Sequence, residues 1–545
     1  MLQSSKKRPL PGLRKKPDGL FADNYFSMRL RLRFSEYLIA MLFNSYQFLL
    51  FFPIVLLGNF VLPKKIRPYW LLIASYYFYM SWNAKYALLL LLSTVITYLC
   101  GLLLGRIADR ADPQADQTAQ RKTVRAKKFC VGLSLVLNLG ILVFFKYYDF
   151  LFNSINVLSS KLLHVTLHAP AFDVVLPVGI SFYTFQALGY TIDVYRGDIK
   201  AEKSFFQYAL FVSFFPQLVA GPIERSKNLL NQLKTPAPFS FESFRDGVFL
   251  MLWGFFLKIV VADRIAVFVD EVYNHYQSYP GLYLVVATVL FAVQIYCDFG
   301  GYSTIAIGAS KILGIQLMEN FNAPYLSMSC SEFWRRWHIS LSTWFRDYVY
   351  IPLGGNRKGK LRKYVNILIV FALSGLWHGA RWSFVLWGFL NGLYQVIGEL
   401  LAKPRAKLRG ALCLHEDSLA HRAMKILVTF VLVDFAWIFF RAQGISNAFE
   451  IIRSMTSVYN PWVLFDGSLY SCGLDNKEFR VMILGIAMIL FTDICKHRGI
   501  SVRKTVFQQD AWFRWLFFAV SVIAILVFGT WGTGYESEAF IYFQF

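Results

Sequence analysis

Ser374-Gly375-Leu376-Trp377-His378-Gly379-Ala380-Arg381 interrupts an otherwise apolar stretch, and its reading decides the fold. The run before it, Val365 to Leu376, is too short to cross a bilayer as a helix, which takes about 20 residues. The run after it, Trp382 to Ile397, is also marginal. An imidazole at membrane depth is costly and by default marks a functional site. The flanking glycines remove bulk and loosen the helix, so a small break is expected there. Two hydrophobic pieces then meet near a buried histidine, a geometry that can line a cavity inside a membrane protein.

The rest of the chain agrees with a membrane setting. It is 56% hydrophobic and 18% aromatic, and only 16% of residues are charged, against about 25% in soluble domains. Apolar runs recur from about residue 43 to about residue 530. The expectation is an all-α polytopic membrane protein with one membrane domain over 41–545. Expected spans fall near 43–62, 69–82, 86–105, 129–147, 174–191, 205–220 and 244–262. They continue near 281–297, 364–377, 382–400, 424–441, 480–495 and 513–531, and about 11 are expected to be true crossings. The segments 299–315 and 331–352 read as broken or interfacial helices. The stretches 106–128, 402–421 and 496–510 read as polar loops, and 148–173 as a segment folded on the membrane surface.

The net charge of +23 would suggest nucleic acid in a soluble protein. No nucleic-acid motif accompanies it, and cationic loops hold the cytoplasmic side of membrane proteins. The seven cysteines, Cys100, Cys130, Cys297, Cys330, Cys413, Cys472 and Cys495, lack C-x-x-C spacing. They read as buried thiols rather than a disulfide framework or zinc site.

Residues 1–40 form a basic N-terminal arm with nine Lys or Arg against three acids. The loops at 63–67 and 106–128 are both basic, which puts them in the cytoplasm and the arm outside. Translation from Met41, or an arm that does not set topology, would resolve the conflict. N-terminal sequencing of natively expressed protein tests the first version, and a mature start at Met1 would sink it.

A second informative segment runs from Glu332 to Arg362. Trp334, Trp337, His338, Leu341, Phe345 and Tyr348 recur at helical spacing, with Arg335, Ser342 and Arg346 on another face. The expectation is an amphipathic aromatic helix ending before Pro352, with His338 on the aromatic stripe. From Arg335 to Lys363 there are eight basic residues against one acid, Asp347. The plain reading is topology and lipid-headgroup contact. The sharper one is binding of a phosphorylated acyl donor, with Arg335, Arg336 and Arg346 as candidates.

His378 and His338 are two of eight histidines. A lone His among apolar residues is ordinarily a hydrogen-bonded structural residue. Two in Trp-rich surroundings, forty positions apart, point instead to general-base chemistry of the kind that transfers an acyl group to a hydroxyl. No third ligand stands at metal-binding spacing. Gln294, Asp298, Tyr302 and Ser303, beside Gly300-Gly301, read either as a hydrogen-bonded helix break or as cavity lining, together with Trp337 and Trp377. The segment Phe215 to Arg225 reads as a structural helix ending. A phosphate-binding Gly-rich loop, a G-x-S-x-G elbow and a dinucleotide fingerprint are all missing, so ATP-driven transport and serine hydrolysis are unsupported.

These segments together resemble the membrane-bound O-acyltransferase family, in its bacterial alginate O-acetyltransferase-like branch. The carrying residues are Leu176 to Gln186, Phe214 to Pro222, Asp298 to Ser303, Phe333 to His338, Tyr350 to Gly355, Gly375 to Gly379 and Phe540 to Phe545. The resemblance covers about Met41 to the C-terminus. One departure is Thr304, where an Asp is expected in many relatives, which weakens any role for that acid and leaves both histidines untouched.

The resemblance implies a helical ring around a thinned, funnel-shaped centre, with His378 catalytic and His338 also required. It implies transfer of an acetyl group from acetyl-CoA or an acyl-carrier thioester, used as donor substrate with no permanently bound cofactor. The acceptor would be an exported or cell-wall polysaccharide, reached across the bacterial inner membrane with an extracytoplasmic SGNH-type partner. D-alanyl transfer toward teichoic acid is the alternative within the family. A polysaccharide or acyl transporter is the alternative outside it, and it would need a pathway lined by several charged residues.

Overall fold

A computed structural model describes residues 41–111, 116–166, 176–219, 221–413, 415 and 418–530. The basic arm at 1–40, Ala220 and the closing Phe540 to Phe545 lie outside the described residues. Among the described residues, regular structure is helical throughout.

The N-terminal part comprises α1 (Tyr46–Val61), α2 (Arg67–Met80), α3 (Ala84–Asp109) and α4 (Gln117–Leu142). A π-turn, Val143–Tyr147, joins α4 to α5 (Tyr148–Leu162). Then come α6 (Ile180–Arg196), α7 (Phe205–Ser213), α8 (Phe215–Leu218), α9 (Ser226–Lys234) and α10 (Phe241–Phe255). A second π-turn, Phe256–Ala262, leads into α11 (Asp263–Asn274) and the long α12 (Leu282–Ile312). The C-terminal part holds α13 (Cys330–Arg336), α14 (Ile339–Phe345), a third π-turn (Arg346–Tyr350), α15 (Gly359–His378) and α16 (Trp382–Leu400). It closes with α17 (Ala402–Ala411), α18 (Leu419–Arg441), α19 (Ile445–Ser457), α20 (Asn476–His497), α21 (Val502–Phe507) and α22 (Ala511–Phe528).

Local chemistry sets many of the starts. Asn83 caps α3 by accepting from the Lys85 amide, and Ser329 caps α13 by accepting from the Glu332 amide. Asp475 and Glu478 form a reciprocal capping box at α20. Lipid-facing sides are equally plain. Leu50, Ile54, Leu57 and Val61 on α1, and Trp515, Leu516, Ile523 and Val527 on α22, project outward, where lipid tails rather than water would cover them.

Among the described residues, five helices are long and apolar enough to cross a membrane: α3, the run from α4 through α5, α12, α18 and α22. The α16–α17 pair, bent by 51°, makes a sixth if taken as one span. The sequence led us to expect about 11 crossings. Several expected spans are short helices, such as α1 (16 residues), α2 (14 residues) and α6 (17 residues), each below the roughly 20 residues a straight crossing needs.

Four other expectations are corrected. The supposed polar loops contain helix: α4 begins at Gln117, α17 fills 402–411 and α21 fills 502–507. Tyr148–Leu162 is helix rather than loop and continues the α4 run. Cys413 is exposed and Cys495 half-buried, while the other five thiols are buried. Finally, 299–315 is no broken helix, because α12 runs unbroken through Gly300 and Gly301 to Ile312.

The reason for the second glycine of the pair, Gly301, is close packing. A side chain at Gly301 would meet the Gly254 carbonyl at 2.8 Å, and one at Gly308 the Gly247 carbonyl at 2.6 Å. Glycines seven residues apart on α10 and α12 thus form one crossing seam, and small residues let helix backbones approach in this way. The seam makes α12 the axis on which the functional centre is built.

Candidate functional site: two buried imidazoles beside a cavity

His378 is the last residue of α15. The chain leaves through an extended Gly379 (φ −160°) and re-enters helix at Trp382, so the expected break is where the glycines put it. α15 and α16 then cross closely. A side chain on Gly388 would land on the Phe371 carbonyl, and one on Gly375 on that of Phe384. This contact brings Trp387 edge-on to the His378 ring at 5.0 Å. Trp377 at 5.0 Å and Phe440 of α18 at 5.6 Å complete the collar around the imidazole.

The segment 331–352 was expected to be broken or interfacial, with His338 on the stripe of an amphipathic helix; the break falls at His338 itself. α13 stops at Arg336, α14 starts at Ile339, and His338 sits between them in the left-handed region (φ 43°, ψ 53°). Such a backbone is strained for a residue with a Cβ and tends to be held where function needs it. The segment 320–322 holds it here. Ile339 N–H donates to the Asn320 carbonyl (3.0 Å), and Asn322 N–H donates to that of Arg336 (2.9 Å). The Asn320 side-chain oxygen accepts from the Ser340 amide (3.3 Å) and hydroxyl (2.9 Å), and lies 3.2 Å from His338 Nδ1. The amide donor identifies that atom as the oxygen. An acceptor at Nδ1 favours hydrogen on that nitrogen and directs the Nε2 lone pair to the other side of the ring. Phe299 of α12 packs edge-on at 4.6 Å.

The two imidazole centres are 6.3 Å apart, and both rings are buried. Trp377 touches both, at 5.9 Å from His338 and 5.0 Å from His378. Two cavities lie near this pair at successive heights along α15; His378 lines the smaller, and the larger reaches the chain neighbours of His338 but neither ring. The smaller, about 80 Å³, is lined by Lys146, residues 176–182, Val219, Trp377 and His378. The larger, about 500 Å³, reaches Ile367, Val370, Phe371 and Ser374 of α15, with Trp334, Arg335, Ile339 and Arg346 among its other walls. Ser374 lies one helical turn before His378, and Ile339 directly follows His338. An imidazole so placed can take a proton from a hydroxyl entering one cavity while the other holds the reacting partner.

The remaining candidates divide. Arg335 and Arg346 line the larger cavity. Arg336 turns away, pairing with Glu332 at 2.6 Å and approaching His497 Nδ1 at 3.1 Å. Trp377 lines the smaller cavity. Trp337 lines neither; it is buried against Phe321 (5.0 Å), Trp437 (5.2 Å) and Phe333 (5.3 Å). Gln294, Asp298, Tyr302 and Ser303 are buried on α12 and form no wall of either cavity. Asp298 pairs with Lys258 at 2.6 Å, Lys258 pairs with Asp263 at 2.7 Å, and the Tyr302 hydroxyl donates to Asn44 at 3.0 Å.

Sequence reasoning missed Lys146 and Asn320. A lysine inside Phe144-Phe145-Lys146-Tyr147 was the available signal, since an intramembrane charge calls for explanation. Asn320 lies in an ordinary polar stretch, and nothing local marks it.

A helical membrane protein with paired imidazoles beside a basic cavity has the make-up of a group-transfer enzyme working inside the bilayer. The model of the membrane-bound O-acyltransferase family matches residues 76–408, and the chain belongs to that family. It is 36% identical over 458 residues to the "Probable alginate O-acetylase AlgI" of Pseudomonas aeruginosa, covering 83% of this chain and 81% of that one. It is 32% identical over 451 residues to the "Peptidoglycan O-acetyltransferase" of Helicobacter pylori (77% and 80% covered). To the "Teichoic acid D-alanyltransferase" of Bacillus subtilis it is 26% identical over 260 residues, covering 45% of this chain and 65% of that one. The protein is thus an O-acyltransferase.

Proposed function

We propose that this enzyme moves an acetyl group from a cytoplasmic thioester to a hydroxyl on the far side of the membrane, for O-acetylation of an exported or cell-wall polysaccharide. The observation that carries the reading is the pair of buried imidazoles, 6.3 Å apart, with His378 lining a small cavity at the end of α15 and a larger basic cavity reaching Ser374, one turn earlier on the same helix. The thioester enters the larger cavity, where Arg335 and Arg346 meet its phosphates. The acceptor hydroxyl enters the smaller one. His378 removes the hydroxyl proton as oxygen attacks the acyl carbon. The carbon–oxygen bond forms, the carbon–sulfur bond breaks, and the thiolate leaves and is reprotonated. His338, oriented by Asn320, positions the donor and stabilises the charge that develops.

The membrane is the bacterial inner membrane, and short helices enclosing the pair form the thinned, funnel-like centre. An extracytoplasmic SGNH-type partner carries the acetyl group onward, as the family resemblance implies. The longer and closer match to the acetylases than to the D-alanyltransferase supports acetyl over D-alanyl.

The test is acetyl transfer from radiolabelled acetyl-CoA, or from an acetylated carrier protein, by the purified protein in nanodiscs. Label transfer lost in His378→Ala supports the assignment, and the productive donor separates the two thioesters. Equal transfer by His378→Ala and wild type overturns it.

A further inference from the structure

The end of α15 is capped in an unusual way. A helix leaves its last carbonyls without intrahelical donors, and the extended Gly379 carries the chain away instead of folding back over them. Side chains from a different helix take over. The Tyr147 hydroxyl donates to the Leu376 carbonyl (2.9 Å), and the Lys146 ammonium donates to those of Trp377 (2.7 Å) and His378 (3.2 Å). The third ammonium hydrogen is directed at Ser181 Oγ, 3.4 Å away. Three successive carbonyls are thus met by two successive residues. Both belong to the π-turn Val143–Tyr147, a widened helical turn of the kind often found at functional sites.

The placement does more than end a helix. Lys146 is half-buried among aromatic rings, 5.9 Å from that of Trp377 and 6.0 Å from that of Tyr147, and among the described residues lining the small cavity it is the only charged one. A cation there faces the negative end of the α15 dipole. It also stands beside the space in which an attacking oxygen would gain negative charge.

We propose that Lys146 is a positioning residue of the transfer centre, holding the backbone of His378 in register and supplying the cavity's fixed positive charge, with Tyr147 as its partner in the cap. The proposal rests on the assignment of His378 made above. It is tested on the full-length protein in nanodiscs with acetyl-CoA as donor, using Lys146→Met, Lys146→Gln and Tyr147→Phe beside His378→Ala.

Loss of a preorganised donor typically lowers kcat by about 10²–10³-fold. Lys146→Met is expected to fall in that range, with KM for the thioester within about threefold of wild type, because the thioester occupies the other cavity. Lys146→Gln keeps N–H donors without charge and should fall between Met and wild type. A purely structural lysine would lower the unfolding temperature and leave kcat per folded molecule unchanged, and that result overturns the proposal. Should Lys146→Met fail to insert, Tyr147→Phe decides: a severalfold lower kcat supports the proposal, and an unchanged kcat overturns it. If His378→Ala itself retains activity, the assignment of the centre has failed rather than the role of Lys146.

Discussion

Two buried polar centres sit on different faces of α12. On one, Phe299 packs against His338 beside the cavities; on the other, its neighbour Asp298 grips Lys258, which also holds Asp263. Successive residues of a helix point about 100° apart, so one turn of α12 serves both. The imidazole pair is wrapped in aromatic rings, and through His378 it opens on the smaller cavity. The Lys258 cluster holds two carboxylates on one ammonium at hydrogen-bond distance and opens on neither cavity. Intramembrane charge is by default a sign of function. Here the difference lies in access: the centre whose His378 lines a cavity carries the proposed chemistry, and the sealed one ties the Phe256–Ala262 turn, α11 and α12 together.

That contrast can be broken most decisively at the histidines. His378→Ala should lower acetyl transfer by about 10²–10⁴-fold, with His338→Ala close behind, while thermal unfolding in detergent stays near wild type. The sealed centre should behave in the reverse way. Lys258→Met leaves two carboxylates buried without their cation and should cost about 3–5 kcal/mol of stability. It should be read as a lower unfolding temperature and yield, with near-normal transfer per folded molecule. A variant that is stable and inactive would move Lys258 into the functional centre.

Gly388→Ala tests what connects the centres to their scaffold. The added methyl meets the Phe371 carbonyl, and overpacking of this kind costs about 1–3 kcal/mol. Parting α15 from α16 should also shift Trp387 off His378, so both stability and kcat should fall. The smallest effects belong to the mouth of the large cavity. Arg335→Ala and Arg346→Ala should each weaken donor binding by about 0.2–1 kcal/mol. This is read as a raised KM for acetyl-CoA at unchanged kcat, fading as salt is added.

Some of this was legible from sequence and some was not. The break at His378 was, because glycine flanks and an imidazole in an apolar run are local signals. Arg335 and Arg346 were found as part of a basic cluster, but Arg336 was grouped with them although it turns to Glu332 and His497. That 331–352 is interrupted was legible, but the place of the break was not, since the aromatic spacing from Trp334 to Tyr348 suits an unbroken helix. What breaks it is Asn320, eighteen residues upstream. Gly300-Gly301 looked like a kink because glycine weakens isolated helices, whereas the contact with Gly254 across the seam gives it a packing role.

The sequence by itself determined that the chain is an all-helical membrane protein and a member of its acyltransferase family, because hydropathy, helix capping and motif order are written in neighbouring residues. It also nominated both histidines. Only the tertiary structure decided that the two imidazoles face one another, that Lys146 caps the helix carrying His378, and that Asp298 answers Lys258. Those partners lie tens to hundreds of residues apart in sequence, and where helices pack side by side it is their crossings that choose which side chains meet.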